Sequence, residues 1–158
     1  MDDEASNVDA FELISPVFRN NTKIPPQYTC KGQNVNPPLT IFNTPQGAQS
    51  LTLVVHDPDA VSGDHLHWLV YDIPPSTESI SVNSVPVGAI QGKNGGGKAQ
   101  YSGPCPPKGT GVHHYMFDLY ALDNTLDLAA GSSLDEVMKA QKGHVLAECT
   151  LVGLFAAD

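Results

Sequence analysis

Residues 50–56 read Ser-Leu-Thr-Leu-Val-Val-His, and this run limits the architectures open to the chain. Leu51, Leu53 and Val55 alternate with Thr52 and Val54, so both faces of an extended segment here are largely apolar. A strand of that kind is central and buried. Other β segments surround it. Phe11 to Phe18 reads as a first strand, Leu39 to Phe42 as a short one, and Leu66 to Ile73 as another closed by Pro74 and Pro75. Val82 to Pro86 is expected as an edge piece, Val112 to Leu122 as the clearest strand of the second half, and His144 to Phe155 as the last. Between them lie two long loops rich in turn-forming residues, Asn20 to Pro38 and Gln91 to Gly111.

One helix is expected. Ser133 and Glu136 stand three apart, the spacing of a capping box, and Lys139, Lys142 and Gly143 suit the helix end. Strand after strand with a single late helix excludes the alternating βαβ pattern of parallel sheets. It predicts a mainly β fold, an antiparallel sandwich with one helix packed at its side. At 158 residues, 41% hydrophobic and 16% charged, the chain fits one domain with a real core. Residues 1–10 are acidic and expected to fray, and residues 11–158 form the domain.

The net charge of −9 disfavours nucleic acid and anionic membrane surfaces as partners. The start, Met1-Asp2-Asp3-Glu4, lacks the basic and apolar parts of a secretory signal, and no run is long enough to span a bilayer, so a cytoplasmic location is expected. The three cysteines are Cys30, Cys105 and Cys149. Their odd number favours three reduced thiols, with a Cys30–Cys105 bridge as the alternative, since each lies in a loop near proline.

Chemistry gathers at strand ends. His56 precedes Asp57-Pro58-Asp59, His65 and His67 precede the core of the next strand, and His113, His114 and Tyr115 open a later one. Residues two apart on a strand share a face. His65 and His67 therefore point one way while Leu66, Trp68 and Val70 point into the opposite layer. His113 and Tyr115 share a face, with His114 and Met116 on the other. Two histidines, a tyrosine and two aspartates can then line one concavity. Imidazole and phenol supply donors for an anion such as phosphate. Asp57 and Asp59 would repel it directly and are better placed behind a histidine. Backbone N–H groups of the Gly103 to Gly111 loop are expected to add donors.

Each part has a plainer reading as an ordinary turn or a core histidine. Zinc is the chemical rival, because His65-Leu66-His67 has strand spacing that zinc enzymes use. Residues 92–98 carry the GxxxxGK spacing of a phosphate loop, but Ala99 supplies no hydroxyl and no helix can follow, so a mobile turn is expected.

These residues carry a family resemblance. Asp57-Pro58-Asp59-Ala60, His67-Trp68, and Gly103-Pro104-Cys105-Pro106-Pro107-Lys108-Gly109 leading to His113-His114-Tyr115 resemble the phosphatidylethanolamine-binding proteins, also called Raf kinase inhibitor-like proteins. The run from Ile24 to Gly32, Pro37-Pro38-Leu39 and Ala121-Leu122-Asp123 look like the compact bacterial and archaeal branch. The likeness spans roughly Phe11 to Phe155. It implies an antiparallel Greek-key β-sandwich with an anion pocket at one end, formed by Asp57, Asp59, His67, His113 and Tyr115, with Gly103, Pro104, Cys105 and Pro106 at the rim. It implies phosphate, phosphorylated small molecules, lipid headgroups or phosphorylated side chains as ligands, and no metal or organic cofactor. A non-enzymatic role is expected, with regulation of a kinase or protease by docking. The alternatives are a hydrolase using His67 or His113 as base, and a serine protease inhibitor acting through a surface loop. Homodimers are expected of this branch. Two departures stand beside the pocket: Val61 replaces a usual proline, and the stretch before His67 is short, leaving His65 at the rim.

Overall fold

The computed structural model describes residues 10–158; the expectation of a frayed start falls almost wholly outside them. The strands are β1 (Glu12–Ile14), β2 (Thr22–Lys23), β3 (Leu39–Phe42), β4 (Ser50–Asp57), β5 (His65–Ile73), β6 (Ser79–Ile80), β7 (Ile90–Gln91), β8 (His113–Leu122) and β9 (Val145–Phe155). A 3-10 turn, Pro26–Tyr28, follows β2, and the helix α1 is Leu134–Gln141. Three strands form one sheet in the order β1-β3-β6, and six form the other in the order β2-β9-β8-β4-β5-β7. Every pairing is antiparallel except β2 with β9.

β4 holds the centre because its alternation leaves no solvent face. Leu51, Leu53 and Val55 pack inward with Phe117, Leu119 and Leu151 of the same sheet and Leu13, Leu39, Ile41 and Ile80 of the other. Val54 faces outward with Leu69, Tyr71 and Leu122, and α1 covers them through Val137. The helix starts where its capping box begins: Ser133 Oγ accepts from the Glu136 N–H and Glu136 Oε1 accepts from the Ser133 N–H. The fold is thus a β-sandwich with one flanking helix.

Several expected boundaries shift. The first strand stops at Ile14, because Ser15 turns its hydroxyl to the Pro38 carbonyl and Pro16 cannot continue the ladder. The edge piece at 82–86 is absent. The Asn36 side chain instead holds residues 81–84 in a turn, donating to the Ser81 carbonyl and accepting from the Ser84 N–H, and the strand forms earlier, at Ser79–Ile80. β2, β7 and the 3-10 turn were not expected; each is only two or three residues long. The turn at 92–98 is pinned rather than mobile. Asn94 Oδ1 accepts from Gly96 and Lys98, and its amide donates to the Gln100 carbonyl.

The expectation of three reduced thiols is overturned. Cys30 and Cys105 are bridged, with Cα atoms 5.4 Å apart, while Cys149 is free. Spacing in sequence hid this, because 75 residues separate the two cysteines. The 3-10 turn and the Pro104 segment bring them together, and the Cys30 N–H also donates to the Pro104 carbonyl at 3.1 Å.

Candidate functional site

β4, β5 and β8 end side by side, and their last or first residues surround a cavity of about 340 Å³. Asp57, His65, His67, His113 and Tyr115 line it, with Ser102, Gly103, Cys105, Pro106 and Pro107 on one side and Ala60, Val61 and Ser62 at the mouth. No lysine or arginine is among these residues.

His67 reaches this cavity through a bulge. Val55 pairs with Trp68 and His56 with Leu66, so His67 is an extra residue opposite β4. A bulge of this kind places two successive side chains on one face and re-aims the strand. His67 faces the cavity, with its ring centroid 5.2 Å from that of Tyr115, and Trp68 and Val70 face the inner core. Of Leu66, Trp68 and Val70, only Leu66 turns outward. The expectation that Trp68 and Val70 point away from His67 is therefore wrong, because strict alternation fails at the bulge. The displaced backbone is not left unpaired: the His67 carbonyl accepts from the Ser102 N–H at 3.0 Å.

Asp57 and His113 form the floor. The His113 Nδ1–Asp57 Oδ2 distance is 2.6 Å, with side chains 2% and 4% exposed. Asp57 Oδ1 accepts from the Asp59 N–H, which shapes the following turn. His113 Nε2 lies 2.9 Å from Thr110 Oγ1. That hydroxyl has one proton, which it donates to the Pro107 carbonyl at 2.6 Å. Both ring nitrogens of His113 are therefore engaged within the protein, Nδ1 with Asp57 and Nε2 with Thr110.

The other rings differ. His67 Nδ1 donates to the Ser102 carbonyl at 2.6 Å, leaving Nε2 with a lone pair while the ring is neutral. Burial is the main influence on His67 and lowers its pKa below the usual 6.5. Burial likewise raises the Tyr115 phenol, with Asp57 and Asp59 adding to the effect, so the phenol stays protonated and able to donate. His65 stands edge-on to His67, centroids 4.9 Å apart, and is packed against Gly95.

Not every expected residue arrives here. Asp59 does not line the cavity. It accepts from the His114 backbone N–H at 2.9 Å and pairs with the His114 ring at 2.7 Å, and those bonds hold its carboxyl below the usual range. Asp59 thereby clips the turn after β4 onto β8. Pro104 is buried behind the rim rather than in it. The backbone-donor nest is reduced: Pro104, Pro106 and Pro107 have no N–H, and the Gly103 N–H is taken by Asn34 Oδ1 at 2.7 Å. Thr110, Ser102, Asn34 and Gly95 were not singled out from sequence. Thr110 alone left a signal, standing three residues before His113 at the end of the glycine-rich loop.

The residues matched by the model of the phosphatidylethanolamine-binding protein family run from 14 to 156. The chain belongs to the phosphatidylethanolamine-binding protein family. Within that family it is 47% identical to a UPF0098 protein of Pyrococcus horikoshii, over 90% of this chain and 75% of the relative. It is 44% identical to a Mycobacterium tuberculosis protein named as a lipoprotein, over 90% and 71%. A phosphatidylethanolamine-binding protein homologue of Chlamydia trachomatis superposes with a TM-score of 0.90 at 34% identity, covering 95% of this chain and 99% of that one. A carboxypeptidase Y inhibitor shares the fold at TM-score 0.52 and 18% identity, over 90% and 81%. Among the described residues of this family member, no helix is long and apolar enough to cross a membrane.

Proposed function

We propose that this chain is a binding module that holds a phosphate-bearing group in the cavity between Asp57, His65, His67, His113 and Tyr115. One observation carries the reading. The buried Asp57 carboxylate accepts a hydrogen bond from His113, while Tyr115, His65 and His67 line the same space, and the Tyr115 hydroxyl, the His67 Nε2 and both His65 nitrogens have no protein partner among the described residues. An anion there meets donors rather than a bare carboxylate. A phosphorylated small molecule, a lipid headgroup or a phosphorylated side chain presents the required group. Docking on a kinase or a protease is the regulatory role that goes with it.

The hydrolytic alternative needs a nucleophile beside a free base. The Thr110 hydroxyl is near His113, but it donates to the Pro107 carbonyl and so does not pass its proton to the histidine. This arrangement favours binding over turnover. For compartment, the Cys30–Cys105 bridge favours oxidising surroundings over the cytoplasmic expectation.

Titration with inorganic phosphate, followed by NMR, tests the reading. Resonances of His67 and Tyr115 shift on binding, and Tyr115→Phe weakens phosphate roughly tenfold while the remaining spectrum keeps its dispersion. No shift at either residue with millimolar phosphate sinks it.

A further inference from the structure

The cavity has an unusual charge balance for an anion site. Among the described residues it holds no lysine or arginine, and the buried His113 is already bonded to Asp57, Nδ1 to Oδ2 at 2.6 Å. The donors an anion needs have to come from Tyr115, His65 and His67. The groups facing the two histidine rings are few. β4 contributes Asp57, β8 contributes His113 and Tyr115, and the 101–107 segment contributes the backbone of Ser102 and Gly103 and the bridged Cys105. The 92–98 turn presents Gly95 to His65. Asp64, next to His65 in the chain, is turned away and bound to His56 at 2.8 Å.

His67 has its Nδ1 proton committed to Ser102, so Nε2 is an acceptor in the neutral ring. A phosphate oxygen and that nitrogen both carry lone pairs, and contact between them requires a proton. It comes from solvent onto the ring or arrives on the ligand. Either way the complex holds one more proton than a free phosphate dianion and a neutral imidazole together. His65 has no hydrogen-bond partner for either ring nitrogen among the described residues, and its ring lies 4.9 Å from His67. It can present a second N–H to the same anion.

We propose that His65 is a second anion-contacting imidazole, and that His65 and His67 together make a proton-coupled site selective for phosphomonoesters over phosphodiesters. The proposal rests on the phosphate reading above and deepens it. A monoester has two charges and three free oxygens, enough for both rings and Tyr115. A diester has one charge and two free oxygens and satisfies fewer donors. Since burial lowers His67, the free ring is mostly neutral near pH 7, and ligand binding draws in the missing proton. Affinity therefore rises as pH falls toward the His67 titration and declines above it.

Calorimetry on the full chain tests this, with methyl phosphate and glycerophosphoethanolamine as probes for a terminal phosphate and a diester headgroup. Measurements at about pH 6 and about pH 8, in buffers of different ionisation heat, count the protons. Methyl phosphate is expected to bind roughly tenfold or more weakly at the higher pH, with uptake of about one proton. His65→Phe keeps the edge-on ring contact and is expected to weaken methyl phosphate several-fold, narrowing its advantage over the diester. His65→Gln serves as a second variant and is expected to do the same. Equal affinity at both pH values without proton uptake overturns the coupling. Unchanged binding in both variants overturns the role of His65, and tighter binding of the diester overturns the selectivity. Each of these leaves the phosphate reading standing. Failure of the wild-type chain to bind either probe at either pH removes that reading and this inference together.

Discussion

Gly95 shows how much one missing carbon can matter. A Cβ there would lie 2.4 Å from His65 Cε1, so the glycine is what lets the turn at 92–98 close against that ring. Gly95→Ala is expected to displace His65 while leaving Asp57, His113 and Tyr115 in place. Its phosphate affinity then falls toward that of His65→Phe, and thermal stability changes by less than about 1 kcal/mol, since the ring is a movable neighbour. NMR titration beside thermal unfolding checks both parts. Asp57 behaves differently. Its removal leaves the buried His113 Nδ1–H unpaired, and Asp57→Ala is expected to cost roughly 1–3 kcal/mol in urea unfolding. The residue-level chemistry was partly legible in the sequence. The same-face placing of His113 and Tyr115 follows from period two. The bond from the Thr110 hydroxyl to Pro107 and the diversion of Asp59 to His114 do not, because they depend on loop paths that no periodicity encodes.

The outer face of β4, β5 and β8 is fastened by a polar cluster separate from the cavity. His56 on β4 bonds Asp118 of β8 at 2.7 Å and Asp64 at 2.8 Å, and Thr150 of β9 donates to Asp118. The bond to Asp118 is the main reason the His56 pKa rises to about 9; burial opposes it and Asp64 adds to it. A histidine raised in the folded state stabilises fully below its unfolded value of about 6.5, and that contribution is lost as pH climbs through about 9. The loss amounts to roughly 3 kcal/mol. Urea unfolding at intervals from neutral to alkaline pH should show it, and His56→Gln should flatten that slope. α1 is legible from four residues, since a serine and a glutamate three apart satisfy two backbone donors by themselves. Ser133→Ala is expected to lower stability by about 1 kcal/mol. The bulge at His67 was not legible, because an inserted residue looks like any other until its partner strand is known. The same limit applies to β2 and β7, whose two residues each are strands only because β9 and β5 are beside them.

On the scale of the whole molecule, the sandwich was readable because its hydrophobic pattern is strong. Six apolar segments and one capped helix leave few other ways to bury β4. The long loops were not readable, and they build the cavity wall. Four ties join residues 28–34 to residues 101–105: the disulfide, the Cys30 N–H to Pro104, the Tyr101 hydroxyl to the Tyr28 carbonyl at 2.7 Å, and Asn34 to Gly103. Closing a loop of this size by a disulfide stabilises by about 4 kcal/mol in the chain-entropy account. Reduction, or Cys30→Ser, is therefore expected to lower the free energy of unfolding measured in urea by a comparable amount, with the three hydrogen bonds retaining the rim in the folded fraction.

The Cys30–Cys105 bridge also changes what a cut means. It closes a covalent ring that contains β3 to β7, the exposed turn at 60–64 and the turn at 92–98. A protease that nicks either turn produces a break in the sequence without releasing a fragment. The two pieces stay joined through sulfur and travel as one band until a reductant is added. The mouth of the cavity is thus a place where the polypeptide can be opened, lengthened or re-spliced while both ends remain anchored to the same wall.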